Sequence, residues 1–192
     1  MNMELMEAIY NRRSVRRFTD YEVSDGELRE MLEAARYAPS WANTQSWRFV
    51  VIRDRNIIKE ITNTYSETNP ARKCSFSATA LIAACAETKL VHHRGDEERT
   101  NFLQWFMFDL GMAVQNLCLR AHELGLGTVV VGSLDHEKCN SILSVPEGMD
   151  AIAIIPVGKP ELRDTPKPAP KRKELQEFVW LDTFHEQFKQ PE

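Results

Sequence analysis

The sequence predicts one domain in which helices cover a β-sheet, and three observations carry that reading. At 192 residues the chain is long enough for one well-buried domain and short for two. Several segments place apolar residues at helical spacing between recognisable start and stop signals. Between them stand three short runs of apolar and β-branched residues, Trp47–Ile52, Ala80–Ala86 and Ala151–Val157, which read as strands.

In chain order, Met3–Tyr10 carries Leu5, Met6 and Ile9 at helical spacing and is a short helix. It leads directly into Asn11–Phe18, N-R-R-S-V-R-R-F, a tight cationic turn with four arginines. Ser24-Asp25-Gly26-Glu27 is a capping box: the serine oxygen accepts from the Glu27 N–H while Glu27 reaches back. The helix it starts buries Leu28, Met31, Leu32 and Ala35 and ends before Pro39, giving Asp25–Tyr37. Ser40–Ser46 is a polar loop carrying Trp41, and Trp47–Ile52 is the first strand. Arg55–Tyr65 is a helix, and Asn69–Ser77, polar and containing Pro70, is expected to be irregular.

Ala80–Ala86 is short, apolar and bounded by polar residues, hence a buried strand. Lys89–Arg99, with His92 and His93, reads as a mobile loop. Asn101–Leu124 is the longest helix. From Phe102 to Val114 only Gln104 and Asp109 are distinctly polar, so the helix must be covered on every side, in part by a second subunit. Gly125 ends it as the C′ residue. A strand Thr128–Val131, a turn at Gly132-Ser133 and a helix His136–Leu143 follow. Pro156 places the Ala151–Val157 strand near its end or at a sheet edge. Glu161–Pro170 is an extended proline-rich linker, then come Lys171-Arg172-Lys173 and an amphipathic stretch through Phe188. No internal repeat or domain boundary interrupts residues 1–192.

Composition narrows the function classes. A net charge of −4 and a pI near 5.8 argue against a protein that grips nucleic-acid phosphates non-specifically. No apolar run approaches the roughly 18 residues of a membrane span, and the acidic start M-N-M-E-L-M-E lacks the apolar core of a secretory signal. Cys74, Cys85, Cys118 and Cys139 form no C-x-x-C pair and suit a reducing compartment. The expectation is a soluble cytoplasmic protein.

Two stretches carry chemistry. A phosphomonoester brings close to two negative charges and several acceptor oxygens, and the guanidinium fork donates paired hydrogen bonds to it while staying charged. Arg12–Arg17 and Lys171–Lys173 are therefore either an anion site or solvated surface charge. In Pro39–Phe49, P-S-W-A-N-T-Q-S-W-R-F, Asn43 and Gln45 each offer a donor and an acceptor to the edge of a planar heterocycle. Trp41 can stack on a ring or form a pocket wall. The same stretch also suits a plain polar connection between helix and strand.

With those residues in place, the chain resembles the nitroreductase family of flavin enzymes. The resemblance rests on Arg12-Arg13-Ser14-Val15-Arg16-Arg17-Phe18, Glu33–Ser40 and Asn43-x-Gln45-x-Trp47-Arg48-Phe49. It continues through Leu110-Gly111, Leu124-Gly125-Leu126-Gly127, Val157-Gly158-Lys159-Pro160 and Lys171-Arg172. It implies an α+β fold with a central mixed β-sheet flanked by helices. It further implies an intertwined homodimer with C-terminal arm exchange and one FMN in each of two interface sites. The long apolar helix would lie in the dimer contact. Residues 161–172 would be the linker and 173–192 the arm crossing to the partner.

By the same resemblance Arg12, Arg13 and Ser14 would hold the FMN phosphate, joined by Lys171 and Arg172. Arg16 would lie near the pyrimidine edge, stabilising negative charge on the reduced ring, and Arg17 would be solvated. Pro39, Ser40 and Trp41 would reach the cofactor from the partner subunit. Asn43 and Gln45 would lie by the ring, and Val131-Gly132 would set backbone against its other side. Two departures stand out: Ser46 replaces a frequent proline, and Trp41 is bulky where small residues are common and narrows the substrate pocket.

Other candidate sites are thinner. Cys118 and His122, at i,i+4, have the spacing of a metal pair or an activated thiol but lack further matching ligands, as do His136-x-x-Cys139 and His92-His93. Gly125-x-Gly127 lacks the third glycine of a dinucleotide fingerprint, and Val157-Gly158-Lys159 lacks a glycine-rich phosphate loop. The implied activity is that of an FMN-dependent oxidoreductase taking hydride from NAD(P)H and reducing a nitroaromatic, quinone or activated alkene by a ping-pong mechanism. No catalytic side chain is implied, because the cofactor carries the chemistry. The alternatives are a reductive dehalogenase, a flavin-cleaving enzyme or an oxidase on the same scaffold, or a non-catalytic flavin-binding protein.

Overall fold

The structure, a computed structural model, describes residues 3–88, 93–94, 97–98, 102, 104–161 and 169–188. It divides into two units, 1–161 and 162–192.

In the first unit four strands, β1 (Trp47–Ile52), β2 (Ala80–Glu87), β5 (Gly127–Thr128) and β6 (Met149–Gly158), form one sheet in the order β1-β2-β6-β5. Every neighbouring pair of these strands is antiparallel. The mixed character expected of the sheet rests on one parallel bridge, Ser14 to Thr128. β2 is buried along its whole length, as its continuous apolar run requires. Successive residues alternate between two cores. Ala80, Ile82, Ala84 and Ala86 face a core with α2 (Asp25–Arg36) and α5 (Trp105–Glu123). Leu81, Ala83 and Cys85 face a core with α3 (Arg55–Asn63), α4 (Arg72–Ser77) and α6 (His136–Leu143). α1 (Leu5–Asn11) packs on α5.

Local chemistry sets the helix ends. The Ser24–Glu27 capping box forms in both directions. The side chains of Asp54 and Asp135 accept backbone N–H bonds at the starts of α3 and α6. At the end of α5, Gly125 has φ +75°, Leu126 N–H donates to Ala121 C=O at 2.8 Å and Gly125 N–H to His122 C=O at 3.0 Å, the pattern of a Schellman close.

Three expectations change, and a fourth, which left two alternatives open, is settled. Asn69–Ser77 is not wholly irregular: Arg72–Ser77 is helical, with Cys74 and Ser75 buried. Its polar groups are satisfied locally, Ser75 Oγ donating to Ala71 C=O at 2.9 Å, so a polar sequence can sit in a core. β6 is central, the edges being β1 and β5, and Pro156 stands near its end, the first of the two places expected for it. The strand expected at Thr128–Val131 reduces to Gly127–Thr128 plus a bridge from Val131 to Ile154. Between those two contacts the register sets Val129 opposite Pro156, which has no N–H to complete the rung. The long helix begins at Trp105 rather than at Asn101.

Most of Lys89–Arg99 lies outside the described residues; His93–Arg94 (β3) and Glu97–Glu98 (β4) pair antiparallel. Of the linker, residues 162–168 likewise lie outside them. The C-terminal unit contains a single helical turn at Leu175–Glu177 and a bridge from Trp180 to Gln187. The Trp180 and Phe184 rings lie 4.8 Å apart, and Leu175, Phe178, Leu181 and Phe188 are exposed. Among the described residues no helix is long and apolar enough to cross a membrane.

Candidate functional site

The arginine segment lies extended along one rim of the sheet. Val15 N–H donates to Thr128 C=O at 2.9 Å, Thr19 N–H to Lys159 C=O at 2.9 Å, and Glu161 N–H to Arg17 C=O at 3.1 Å. Two glycines allow this approach. A Cβ on Gly127 would stand 2.6 Å from Val15 Cβ, and one on Gly158 would stand 2.7 Å from Phe18 Cγ. Both distances are shorter than any side chain tolerates. The glycines of L-G-L-G and V-G-K-P are thus what seats the arginines on β5 and the end of β6.

Along this seat the four arginines divide. Arg12 and Arg13, both half-buried, line a small cavity of about 140 Å³ with Cys118, His122 and Thr128. The Arg13 guanidinium donates to the carbonyls of Tyr10 and Arg12. Ser14 is exposed beside them. Arg16 is also exposed, and its charge acts on the Cys74 thiol in the other core. Arg17 is exposed, 3.9 Å from Glu161. In the cavity, His122 Nε2 is buried and has no hydrogen-bond partner among the described residues. Burial, then the charges of Arg12 and Arg13, hold the imidazole pKa below its ordinary value, against the pull of Glu7.

The second stretch is a constrained loop. Ala42, Asn43 and Gln45 all have positive φ (48°, 56° and 47°), a conformation costing roughly 1–2 kcal/mol for residues other than glycine and least for asparagine. Contacts on both sides hold it. Ser40 Oγ accepts from Gln45 N–H at 3.0 Å, and Gln45 Nε2 donates to Asn43 Oδ1 at 3.0 Å. Trp41 N–H lies 3.1 Å from each carboxylate oxygen of Asp109, a residue only 1% exposed on α5. The Trp41 ring tilts toward Trp105 at 6.5 Å, and Trp105 meets Phe108 edge-on at 5.7 Å. Pro39 is exposed at the loop's start.

The third piece is Val131-Gly132. Val131 is buried and exchanges two 2.9 Å hydrogen bonds with Ile154. Gly132 is exposed, and a Cβ built there meets nothing within 4 Å. Among the described residues nothing requires a glycine there, and the backbone is open to a ligand.

Within the first unit the expected site residues are not all brought together. The Trp41 loop is fastened at Asp109 and the arginine pocket at Cys118 and His122. Asp109 and His122 lie thirteen positions apart on α5, or roughly 20 Å of helix. Lys171 and Arg172 are exposed in the C-terminal unit.

Sequence reasoning missed Asp109 as the fastening of the loop, although an acid in the middle of an apolar helix was the available signal. It weighed His122 as a metal-ligand partner or activator of the Cys118 thiol. Among the described residues no group of three or more His, Cys, Asp or Glu could hold a metal. The four thiols are free and buried. Burial pushes Cys85 up to about 11 and Cys139 up to about 12, and also raises Cys74 and Cys118. They are protonated and inert near neutrality.

Comparison with known proteins agrees with this geometry. A family model described as the nitroreductase family matches residues 9–159. A protein of Archaeoglobus fulgidus, provisionally named NADH dehydrogenase/NAD(P)H nitroreductase, is 32% identical over 164 residues, covering 82% of this chain and 86% of the relative. An NAD(P)H-type FMN reductase of Bacillus subtilis is 26% identical over 176 residues, covering 86% of this chain and 69% of the relative. Among solved structures, an FMN-dependent nitroreductase of Clostridium difficile shares the fold, with a TM-score of 0.75 at 23% identity over 94% of this chain and 100% of that one. The matched segment runs from the helix before the arginine segment to the Val157–Lys159 strand end that supports it, and the chain belongs to the nitroreductase family.

Proposed function

We propose that this protein is an FMN-dependent oxidoreductase that draws on NAD(P)H and reduces a nitroaromatic, a quinone or an activated alkene in alternating half-reactions. The observation that carries the proposal is the cavity at Arg12 and Arg13, lined by two arginines and by a histidine whose Nε2 has no partner among the described residues, in an acidic protein of this family. That donor set fits a phosphate. The names of the Bacillus and Clostridium relatives, both tied to FMN, point the same way.

FMN, when bound, supplies the two-electron chemistry between the nicotinamide and the oxidant. The chain's own residues position it. Arg12, Arg13 and Ser14 hold the phosphate, with Lys171 and Arg172 completing the grip. Arg16, exposed on the same segment, offers positive charge to the pyrimidine edge and favours the reduced ring. Asn43 and Gln45 spend one acceptor and one donor on each other and keep the complementary groups for the ring edge. Gly132 leaves room for close approach, and Trp41, joined to Trp105, narrows the pocket for a planar oxidant.

The functional unit we propose is a homodimer with two sites, each using the arginine segment of one chain and the Pro39–Gln45 loop of the other. The roughly 20 Å of α5 between the two pieces supports this. So does the exposed apolar groove of about 550 Å³ lined by Pro39, Met107, Phe108, Gly111 and Met112. The exposed Phe178, Leu181 and Phe184 suit residues 173–192 to a role as the arm covering a partner. The reduced thiols fit a cytoplasmic setting.

The visible spectrum of the purified protein tests the proposal. The expected result is a yellow protein that releases FMN on denaturation and bleaches on anaerobic addition of NAD(P)H. A colourless protein that leaves the fluorescence of added FMN unchanged overturns it. Bound FMN that NAD(P)H fails to bleach identifies a non-catalytic flavin binder instead. Bleaching without turnover of nitro compounds or quinones points to a specialised relative.

A further inference from the structure

His122 is the unexplained member of the arginine cavity. It lies near the end of α5, one helical turn after Cys118, and its Nε2 is shut off from solvent without a partner. A buried polar nitrogen left unpaired is costly, and natural proteins rarely keep one without a use. The cavity that His122 lines together with Arg12 and Arg13 is about 140 Å³, several times the roughly 30 Å³ that one water occupies in the liquid, and a turn of the imidazole would open Nε2 onto it. The charges of both arginines act on the imidazole.

We propose that His122 is a third cationic donor to the phosphate of the bound flavin, taking up a proton as the phosphate enters. This rests on the FMN reading above and adds to it a residue and a proton. Without the anion, a charged imidazole would face two arginines with only Glu7 of α1 to offset them, and Cys118 beside it is a neutral thiol. The neutral form is therefore favoured. A phosphate carries close to two negative charges, which reverses the field at Nε2 and turns the unpaired nitrogen into a charge-assisted donor.

The direction of the coupling follows from linkage. Binding raises the imidazole pKa, so affinity is full at pH values below the free-protein pKa and declines as pH rises through the window up to the bound-state pKa. Each unit of that rise is worth about tenfold in affinity. The phosphate's own second ionisation, near 6, works in the opposite direction by making the ligand more negative, so the two effects separate.

The test is an FMN titration of the apoprotein from pH 6 to 9, for wild type and His122→Gln, with riboflavin as the ligand lacking phosphate. Calorimetry at pH 7 in two buffers of different ionisation enthalpy counts the protons taken up. Wild type is expected to lose about tenfold in FMN affinity across the range and to take up a proton at pH 7. His122→Gln should bind FMN more weakly at pH 6, without the decline and without proton uptake. Riboflavin affinity should not fall with pH in either protein. FMN binding in wild type with no proton uptake, or an equal pH slope in both proteins, overturns the role of His122 and leaves the FMN reading intact. Absence of FMN binding at every pH overturns both.

Discussion

Replacing Gly127 by alanine tests the seat of the arginine segment most sharply. The new Cβ would stand 2.6 Å from both Val15 Cβ and Cγ2 and 2.9 Å from Cγ1, all attached to a backbone that is itself hydrogen-bonded to Thr128. Either Val15 moves off the sheet rim or β5 moves away from it. Overpacking of this kind costs about 1–3 kcal/mol, and breaking the 2.9 Å Val15 N–H to Thr128 C=O bond adds about 1 kcal/mol. A loss of about 2–4 kcal/mol is large beside the roughly 5–15 kcal/mol that holds a domain folded. Because Val15 stands between Ser14 and Arg16, FMN affinity should fall with stability. Gly132→Ala is the matched comparison. Its Cβ meets nothing within 4 Å, so stability should change by less than about 0.5 kcal/mol, whereas the added methyl intrudes on the proposed ring position and weakens FMN binding. Urea unfolding and FMN titration of both variants give the answer. Unchanged stability and affinity in Gly127→Ala would refute the seating argument. Unchanged FMN affinity in Gly132→Ala would remove Gly132 from the site.

Further expectations concern single side chains. Arg12→Ala should weaken FMN binding by about 1.5–3 kcal/mol, the value of a charged hydrogen bond, with the dimer intact by sedimentation; full affinity would make Arg12 mere surface charge. Arg16→Ala should lower the flavin reduction potential in spectroelectrochemical titration, and an unaltered potential would remove its electronic role. Asp109→Ala removes the acceptor that fastens Trp41 N–H and frees a loop with three left-handed residues. It should destabilise the fold by at least about 1.5 kcal/mol and restore mobility at Trp41, read from its fluorescence anisotropy. The buried thiols predict alkaline instability. Cys85 and Cys139 titrate in the folded protein at about 11 and about 12, above the ordinary 9.0, so the unfolded chain binds fewer protons from pH 9 upward. Stability should hold below pH 9 and fall as pH rises through 11, and a flat profile to pH 11 would contradict the burial.

How much of this was legible in the sequence depended on the range of the interaction. The Ser24–Glu27 cap, the His136–Leu143 helix and the Trp47–Ile52 strand rest on neighbours within a few residues, and each stands where its pattern put it. Arg72–Ser77 escaped because composition does not reveal that its serine and cysteine are satisfied by their own turn. Pro156 could be read as the end of a strand or an edge; it stands near the end of the central β6, tolerated there because the rung its missing N–H would fill is the gap after β5. Gly127 and Gly158 were visible as punctuation, but the reason for them lies at Val15 and Phe18, more than a hundred residues away. The arginine cluster could be read as anion-seeking, yet only the structure separates Arg12 and Arg13, with their cavity, from Arg16 and Arg17 outside it.

In the proposed dimer, one flavin site joins the arginine segment of one chain to the Asn43 loop of the other. A mixed dimer purified with two affinity tags, one chain carrying Arg12→Ala and the other Asn43→Ala, tests it directly. In the composite arrangement one site of the mixed dimer collects both substitutions and the other keeps both native residues. The prediction is one FMN per dimer at wild-type affinity. If each chain instead builds its own site, every site in the mixed dimer is damaged, and no FMN bound at wild-type affinity would contradict the account.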